Sequence, residues 1–196
     1  MPTIFFDRQK LEFLPSFIRG TTGTVFCILD TFHAVCKKYQ LYEKKIMVFG
    51  YKGRIGRPVF KHLENSGFDV IGFDLNDNIK KFQNIQIIIN VAKYGDNLLP
   101  YFEHLETGVT VLDDCYPFLS QIPPGGRIFK VVSAAPGVKF IPGMGASYLP
   151  TELVGCVVGA YVSAVYGQIF EDPQEFDQKA RETGIFYPFR EIFKDG

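Results

Sequence analysis

From residue 22 to 39, apolar side chains recur every third or fourth position (Val25, Ile28, Leu29, Phe32, Val35, Tyr39), with Asp30, His33 and Lys37 on another face. That period predicts an amphipathic helix. The pattern then changes: 45–50 is a short apolar run ending in glycine, and further short runs fall at 69–75, 85–91, 108–112 and 127–132. They do not alternate cleanly between apolar and polar, so they predict strands buried on both faces, as in a parallel sheet. Helical patterns separate them. Residues 55–66 turn Ile55, Val59, Phe60 and Leu63 to one side, with Pro58 in the first turn and Gly67 as the stop. A short helix is predicted at 98–105, a long apolar helix at 150–167, and a last helix at 172–184 opening with Asp172-Pro173. Only eleven residues separate Asp74 from Gln86, room for a helical turn or two and no further strand. Buried strands alternating with helices predict an α/β class: a doubly wound, mostly parallel sheet with helices on both faces.

Size and charge narrow the picture. A chain of 196 residues and 22.2 kDa fits a single domain, read as a lead and helix (1–43), a core (44–149) and carboxyl-terminal helices (150–196). The 21 basic and 21 acidic side chains cancel, removing the positive field that sequence-independent nucleic-acid binding needs. No apolar run approaches the roughly 20 residues of a membrane span, and the start lacks a secretory pattern, so the expectation is a cytoplasmic protein without nucleic-acid or membrane partners. Cys27, Cys36, Cys115 and Cys156 form no Cys-x-x-Cys pair, which argues against a zinc site or a disulfide framework and for reduced, mostly buried thiols. Cys156 falls in the apolar helix and reads as core.

The aromatic residues are unevenly placed. There are 20 Phe and no Trp, with Phe5, Phe6, Phe13, Phe17, Phe170, Phe176, Phe186, Phe189 and Phe193 near the ends. Together with Gly155 and Gly159, four apart on the apolar helix, they suggest packing against another chain, as a homodimer or hetero-oligomer.

The densest chemistry lies at Gly50-Tyr51-Lys52-Gly53-Arg54-Ile55-Gly56, between a predicted strand and a predicted helix. A first glycine turns off the strand, a second lets backbone approach a pyrophosphate, and a third lets the helix pack close. The helix N-terminus then faces the phosphate. Asp74 ends the next strand, where a carboxylate can accept the adenosine ribose hydroxyls and repel a 2′-phosphate. These residues point to NAD, while Arg54 and Arg57 leave room for NADP. The same turn on a sheet that binds nothing is the competing reading. The fold expected is a Rossmann fold shortened by one αβ unit.

The Gly-x-x-Gly-x-x-Gly loop resembles that of dihydrodipicolinate reductases and of the cyanobacterial long-chain acyl-carrier-protein reductases. The surroundings look more like the second family: Gly20-Thr21-Thr22-Gly23-Thr24 resembles the turn that opens the helix before the first Rossmann strand there and in S-adenosylhomocysteine hydrolase, and Val111-Leu112-Asp113-Asp114-Cys115-Tyr116-Pro117 resembles its Asp-Gly-Gly-Tyr-Pro strand end. The resemblance implies that Thr21, Thr22 and Gly23 approach the nicotinamide, while Gly50, Gly53, Gly56 and Asp74 hold the adenosine half. Two departures stand out. The family's amino-terminal substrate domain has no counterpart, and its reactive cysteine is matched by Ser147-Tyr148-Leu149-Pro150-Thr151-Glu152, which argues against a thioester route at that position.

Residues that follow the strands are the candidates for chemistry. After the third strand, Ala92 gives the nicotinamide ribose room, and Lys93 or Tyr94 could donate to a carbonyl oxygen; a solvated lysine is the plainer reading. After the fourth, Cys115 could act as a nucleophile beside a base, or be a buried spectator. The glycine-rich segment 133–148, with Gly137, Gly143 and Gly145, either rims the substrate pocket or simply turns the chain. His33, His62 and His104 read as surface residues. The function expected is an NAD(P)-dependent oxidoreductase that moves a hydride to or from a small carbonyl, imine or acyl substrate. A related reading keeps the cofactor bound for transient oxidation, as in S-adenosylhomocysteine hydrolase. The alternative is a non-catalytic dinucleotide-binding module, or a cofactor subunit serving a separate substrate-binding protein.

Overall fold

The structure, a computed structural model, describes residues 20–139, 148–170 and 172–192. Phe5, Phe6, Phe13, Phe17, Gly143, Gly145, Ser147 and Phe193 lie outside the described residues. The apolar runs form β1 (Ile46–Phe49), β2 (Val70–Phe73), β3 (Ile87–Asn90), β4 (Thr110–Asp113) and β5 (Arg127–Lys130), each shorter than the run that predicts it. All five pair in parallel in the order β2-β1-β3-β4-β5. A two-residue strand, β6 (Glu191–Ile192), adds to β5 antiparallel at the edge. Every position of β1, β3 and β4 is buried, which is why their sequences carry no alternation.

The helices are α1 (Thr21–Tyr39), α2 (Gly56–Asn65), α3 (Gly155–Tyr166) and α4 (Pro173–Glu182), with 3-10 segments η1 (Ile79–Phe82) and η2 (Gly95–His104). Pro100 lies within η2 and has no N–H to donate to its hydrogen-bond ladder. Helix α3 starts five residues later than the apolar pattern suggests. Leu153 is instead drawn into a bridge with Ser133, with N···O distances of 2.6 and 2.8 Å. Helix α4 begins as its Asp-Pro predicts: the Asp172 carboxylate accepts the amides of Gln174 and Glu175, both at 2.8 Å.

The described residues divide into two compact units, one made of 28–131 and 189–192, the other of 20–27 and the described residues between 132 and 188. In the sheet unit, Met47, Phe49, Phe73, Ile88, Val111 and Ile128 meet Phe82 of η1 and Leu98 of η2 in one apolar cluster. On the opposite face Tyr51 lies against Gly72, its ring 5.5 Å from Phe60 of α2, and Tyr39 of α1 lies 5.5 Å from Phe129. Gly72, Val48, Ile89, Leu112 and Phe129 share one register row. The fold is therefore α/β, a mostly parallel doubly wound sheet of Rossmann type with helices on both faces.

In the other unit Gly23 of α1 faces Gly155 and Gly159 of α3 so closely that a Cβ at 23 would strike the Gly155 carbonyl and the Gly159 nitrogen. The Cys27 thiol and Ser133 hydroxyl are 3.1 Å apart, and Phe26, Phe170 and Phe176 meet edge to face. Helix α3 buries Gly155, Val157, Val158, Gly159 and Val162. Cys156 is exposed, not core: its backbone and Cβ lie against Gly20, which has no side chain to cover it. No helix among the described residues is long and apolar enough to cross a membrane.

Candidate functional site

The chain leaves β1 for α2 on one face and leaves β3 for η2 on the other, although β1 and β3 are neighbours. Such a switch opens a crevice beyond the carboxyl ends of the two strands, the place where doubly wound sheets take ligands. The 50–56 loop borders it. Gly50 has φ +92°, a conformation glycine alone adopts cheaply, and a Cβ there would stand 3.1 Å from the backbone of Val91 and Ala92. Gly56 starts α2 against the Gly50 carbonyl, again with no space for a Cβ. Gly53 is exposed and donates its amide to the Gly50 carbonyl at 3.0 Å.

Helix α2 has no side-chain cap. Its N-cap residue is Ile55, whose side chain has no acceptor to offer, and no acidic residue stands in the first turn. Among the described residues the amides of Arg54 and Ile55 have no acceptor. The loop thus presents orphan donors at the positive end of the helix dipole, with a glycine beside them where a side chain would obstruct. Uncapped donors at a helix start are the arrangement that suits an anionic group.

At the end of β2, the Asp74 carboxylate leans over the loop and accepts the Lys52 amide at 3.3 Å and the Leu75 amide at 3.1 Å. Two residues that sequence reasoning missed stand beside it. Asp77 accepts from Lys52 Nζ at 3.2 Å, from Lys81 Nζ at 2.9 Å and from the Asp74 amide at 3.2 Å. The Lys81 hydrogen bond, more than the others, holds the Asp77 carboxyl below its ordinary value. The i,i+4 spacing of Asp77 and Lys81 is the signal that could have found them.

Toward β4 and β5 the edge of the sheet is polar. Asn90, Asp113 and Lys130 are aligned in register at the strand ends and all buried. Each serves a loop: Asn90 donates to the Gly95 carbonyl at 3.3 Å, Asp113 accepts the Leu119 amide at 2.7 Å, and Lys130 Nζ lies 4.3 Å from the centre of the Phe118 ring. Burial pushes the Asp113 carboxyl up against the pull of those amides. Burial, and then the charge of Asp113, push the Asp114 carboxyl well above its ordinary value. Cys115 is buried, its Sγ 3.5 Å from the Asn90 carbonyl. Burial first and the Asp113 charge second raise its pKa far above that of an ordinary thiol, so Cys115 stays protonated.

The structure brings Gly50, Tyr51, Lys52, Gly53, Arg54, Ile55, Gly56, Asp74 and Ala92 together around one crevice edge. Ala92 borders the loop directly; Lys93 and Tyr94 follow it and are exposed, with Lys93 Nζ 5.0 Å from the Tyr94 ring centre. Thr21 and Thr22 are half-buried at the start of α1, and Gly23 is taken up by the crossing with α3. His62 and His104 are exposed and His33 is half-buried.

No protein-family model and no curated protein matches the chain. Among solved structures it is similar to a bifunctional methylenetetrahydrofolate dehydrogenase/cyclohydrolase from Campylobacter jejuni, at 15% identity and TM-score 0.43 over 83% of this chain and 55% of that one. It is also similar to a shikimate 5-dehydrogenase from Thermus thermophilus (15%, TM-score 0.39, 83% and 62%) and a D-isomer specific 2-hydroxyacid dehydrogenase from Lactobacillus delbrueckii (10%, TM-score 0.39, 87% and 67%). The chain spans about half the length of the first structures it matches. At such identities and scores these likenesses assign no substrate or residue role.

Proposed function

We propose that the chain binds a nicotinamide dinucleotide, NAD in preference to NADP, at the crevice beyond β1 and β3, and moves a hydride to or from a small carbonyl, imine or acyl substrate. The observation that carries this reading is the uncapped start of α2, framed by Gly50 against Ala92 on one side and by Asp74 on the other. In this reading the amides of Arg54 and Ile55 hold the pyrophosphate, and Gly53 keeps the approach open. Asp74, already fixed by two amides, accepts the ribose hydroxyls. When bound, the nicotinamide supplies the hydride chemistry. Ala92 leaves space at the end of β3, and Lys93 or Tyr94 supplies the proton to the substrate oxygen or nitrogen. The test is titration with NADH followed by calorimetry, then NADH consumption with a panel of aldehydes, ketones, imines and thioesters. Absence of heat and of saturable binding for both NADH and NADPH overturns the reading.

A second reading, a dinucleotide-binding module or cofactor subunit that serves a separate substrate protein, draws support from the protonated Cys115 and from Lys93 lying over Tyr94 in solvent. NADH binding without turnover of any carbonyl in the panel, with turnover restored by an added partner protein, separates it from the first.

A further inference from the structure

We infer that Asp77 decides between NAD and NADP at this site by keeping the ammonium groups of Lys52 and Lys81 engaged; this rests on the dinucleotide reading above. The geometry is that of one carboxylate serving two cations. Asp77 Oδ1 lies 3.2 Å from Lys52 Nζ and Oδ2 lies 2.9 Å from Lys81 Nζ. Lys81 is held a second time by the Gly72 carbonyl, at 2.8 Å. Asp77 is itself fixed to the residue expected at the ribose: its amide donates to the Asp74 carbonyl at 2.8 Å, and its carboxylate accepts the Asp74 amide at 3.2 Å.

The charges explain the consequence. Around the end of β2, Asp74 and Asp77 are offset by Lys52 and Lys81, with the Arg57 guanidinium donating to the Lys52 carbonyl at 3.3 Å. A 2′-phosphate brings about two further negative charges to a place where Asp74 already repels it. Lys52 and Lys81 are cations that could answer it, and Asp77 competes for both. The Asp77 side chain is 15% exposed and well anchored, whereas that of Lys52 is 54% exposed on a flexible stem. Lys52 is therefore the group that moves when its partner is removed.

Asp77→Asn keeps the shape of the turn and removes the charge. The ratio of NADPH to NADH affinity, read by nucleotide fluorescence titration of the full chain, is expected to rise roughly tenfold, the scale of one charge-assisted contact. The gain should shrink as salt is added and disappear in Asp77→Asn/Lys52→Met. Lys52→Met alone leaves the acids in excess and should move the ratio the opposite way. An unchanged ratio in both single variants, with NADH still bound, overturns the role of Asp77 and leaves the dinucleotide reading standing. Failure of the unaltered chain to bind either nucleotide overturns both. A parallel loss of the two affinities in Asp77→Asn would show a structural role only, and would also overturn the inference.

Discussion

A Cβ on Gly50 would stand 3.1 Å from the backbone nitrogen of Ala92, at a φ of +92° that a side chain also disfavours. A side chain at residue 50 would therefore both strain the backbone and press the end of β1 away from the end of β3. Gly50→Ala is expected to cost roughly 1–3 kcal/mol in chemical denaturation and to weaken NADH binding with it. Gly53→Ala separates the two effects. Position 53 is exposed, and the nearest atom to a new Cβ is the Gly50 carbonyl at 3.1 Å. Stability should change by less than about 1 kcal/mol while NADH affinity falls, because the methyl group stands at the proposed phosphate face. Equal affinity in Gly53→Ala and the unaltered chain would argue against a phosphate there.

The thiols should differ sharply in reactivity. Cys156 is exposed, whereas Cys27, Cys36 and Cys115 are buried; burial alone pushes Cys36 up to about 12 and, with the Asp113 charge, Cys115 higher still. A thiol reagent applied to the native chain near neutral pH should label Cys156 first, and Cys156→Ser should remove the fast phase. All four should react after denaturation. Fast labelling at Cys115 instead would revive a nucleophilic role for it.

How far such arrangements were legible in the sequence depends on whether the information was local. The buried strands and the 50–56 loop were readable because β1 and β3 are apolar at every position but Asn90 and because glycines at fixed spacing have few other uses. Asp74 was readable as the polar residue ending an apolar run. Asp77 is not legible in the same way, because its role depends on Lys52, which is 25 residues away in sequence and comes near only when β2 lies beside β1. The start of α3 is hidden for a similar reason: Leu153 belongs to the apolar helical pattern, yet its backbone is taken by Ser133 from a distant part of the chain. Cys156 shares the hydrophobicity of its neighbours, and its surroundings depend on Gly20 of another segment, which lies against it and offers no side chain to cover it. Strand β6 has two residues, too few for any periodicity to show.

The crossing of α1 and α3 yields predictions of opposite sign on its two sides. At Gly23 a new Cβ meets the Gly155 carbonyl and Gly159 nitrogen, backbone atoms that cannot step aside. Gly23→Ala should therefore destabilise by about 1–3 kcal/mol. At Gly159 the nearest atom to a new Cβ is Gly23 Cα at 3.6 Å, an ordinary contact, and the position is a helix interior. Alanine there should be neutral or stabilising by up to about 1 kcal/mol, from helix propensity. Urea denaturation of both variants decides it; equal destabilisation would mean that the crossing is looser than described.

Asp114 carries a pH dependence whose sign can be worked out. Burial and the neighbouring Asp113 charge raise its folded-state pKa well above the ordinary 3.8. Between 3.8 and the raised value, the folded chain holds a proton that the unfolded chain has released. Stability from this group is therefore complete below 3.8 and declines as pH rises through the folded-state pKa. Asp113 is shifted in the same direction, while Asp77 and Glu182, each held down first by a lysine hydrogen bond, act in the opposite one. The contribution of Asp114 is isolated by comparing the unaltered chain with Asp114→Asn, which is neutral throughout. The two should melt at similar temperatures in acid, and the variant should gain over the unaltered chain as pH approaches about 7. A difference in melting temperature that stays constant across the range would show that Asp114 is as free to ionise in the fold as out of it.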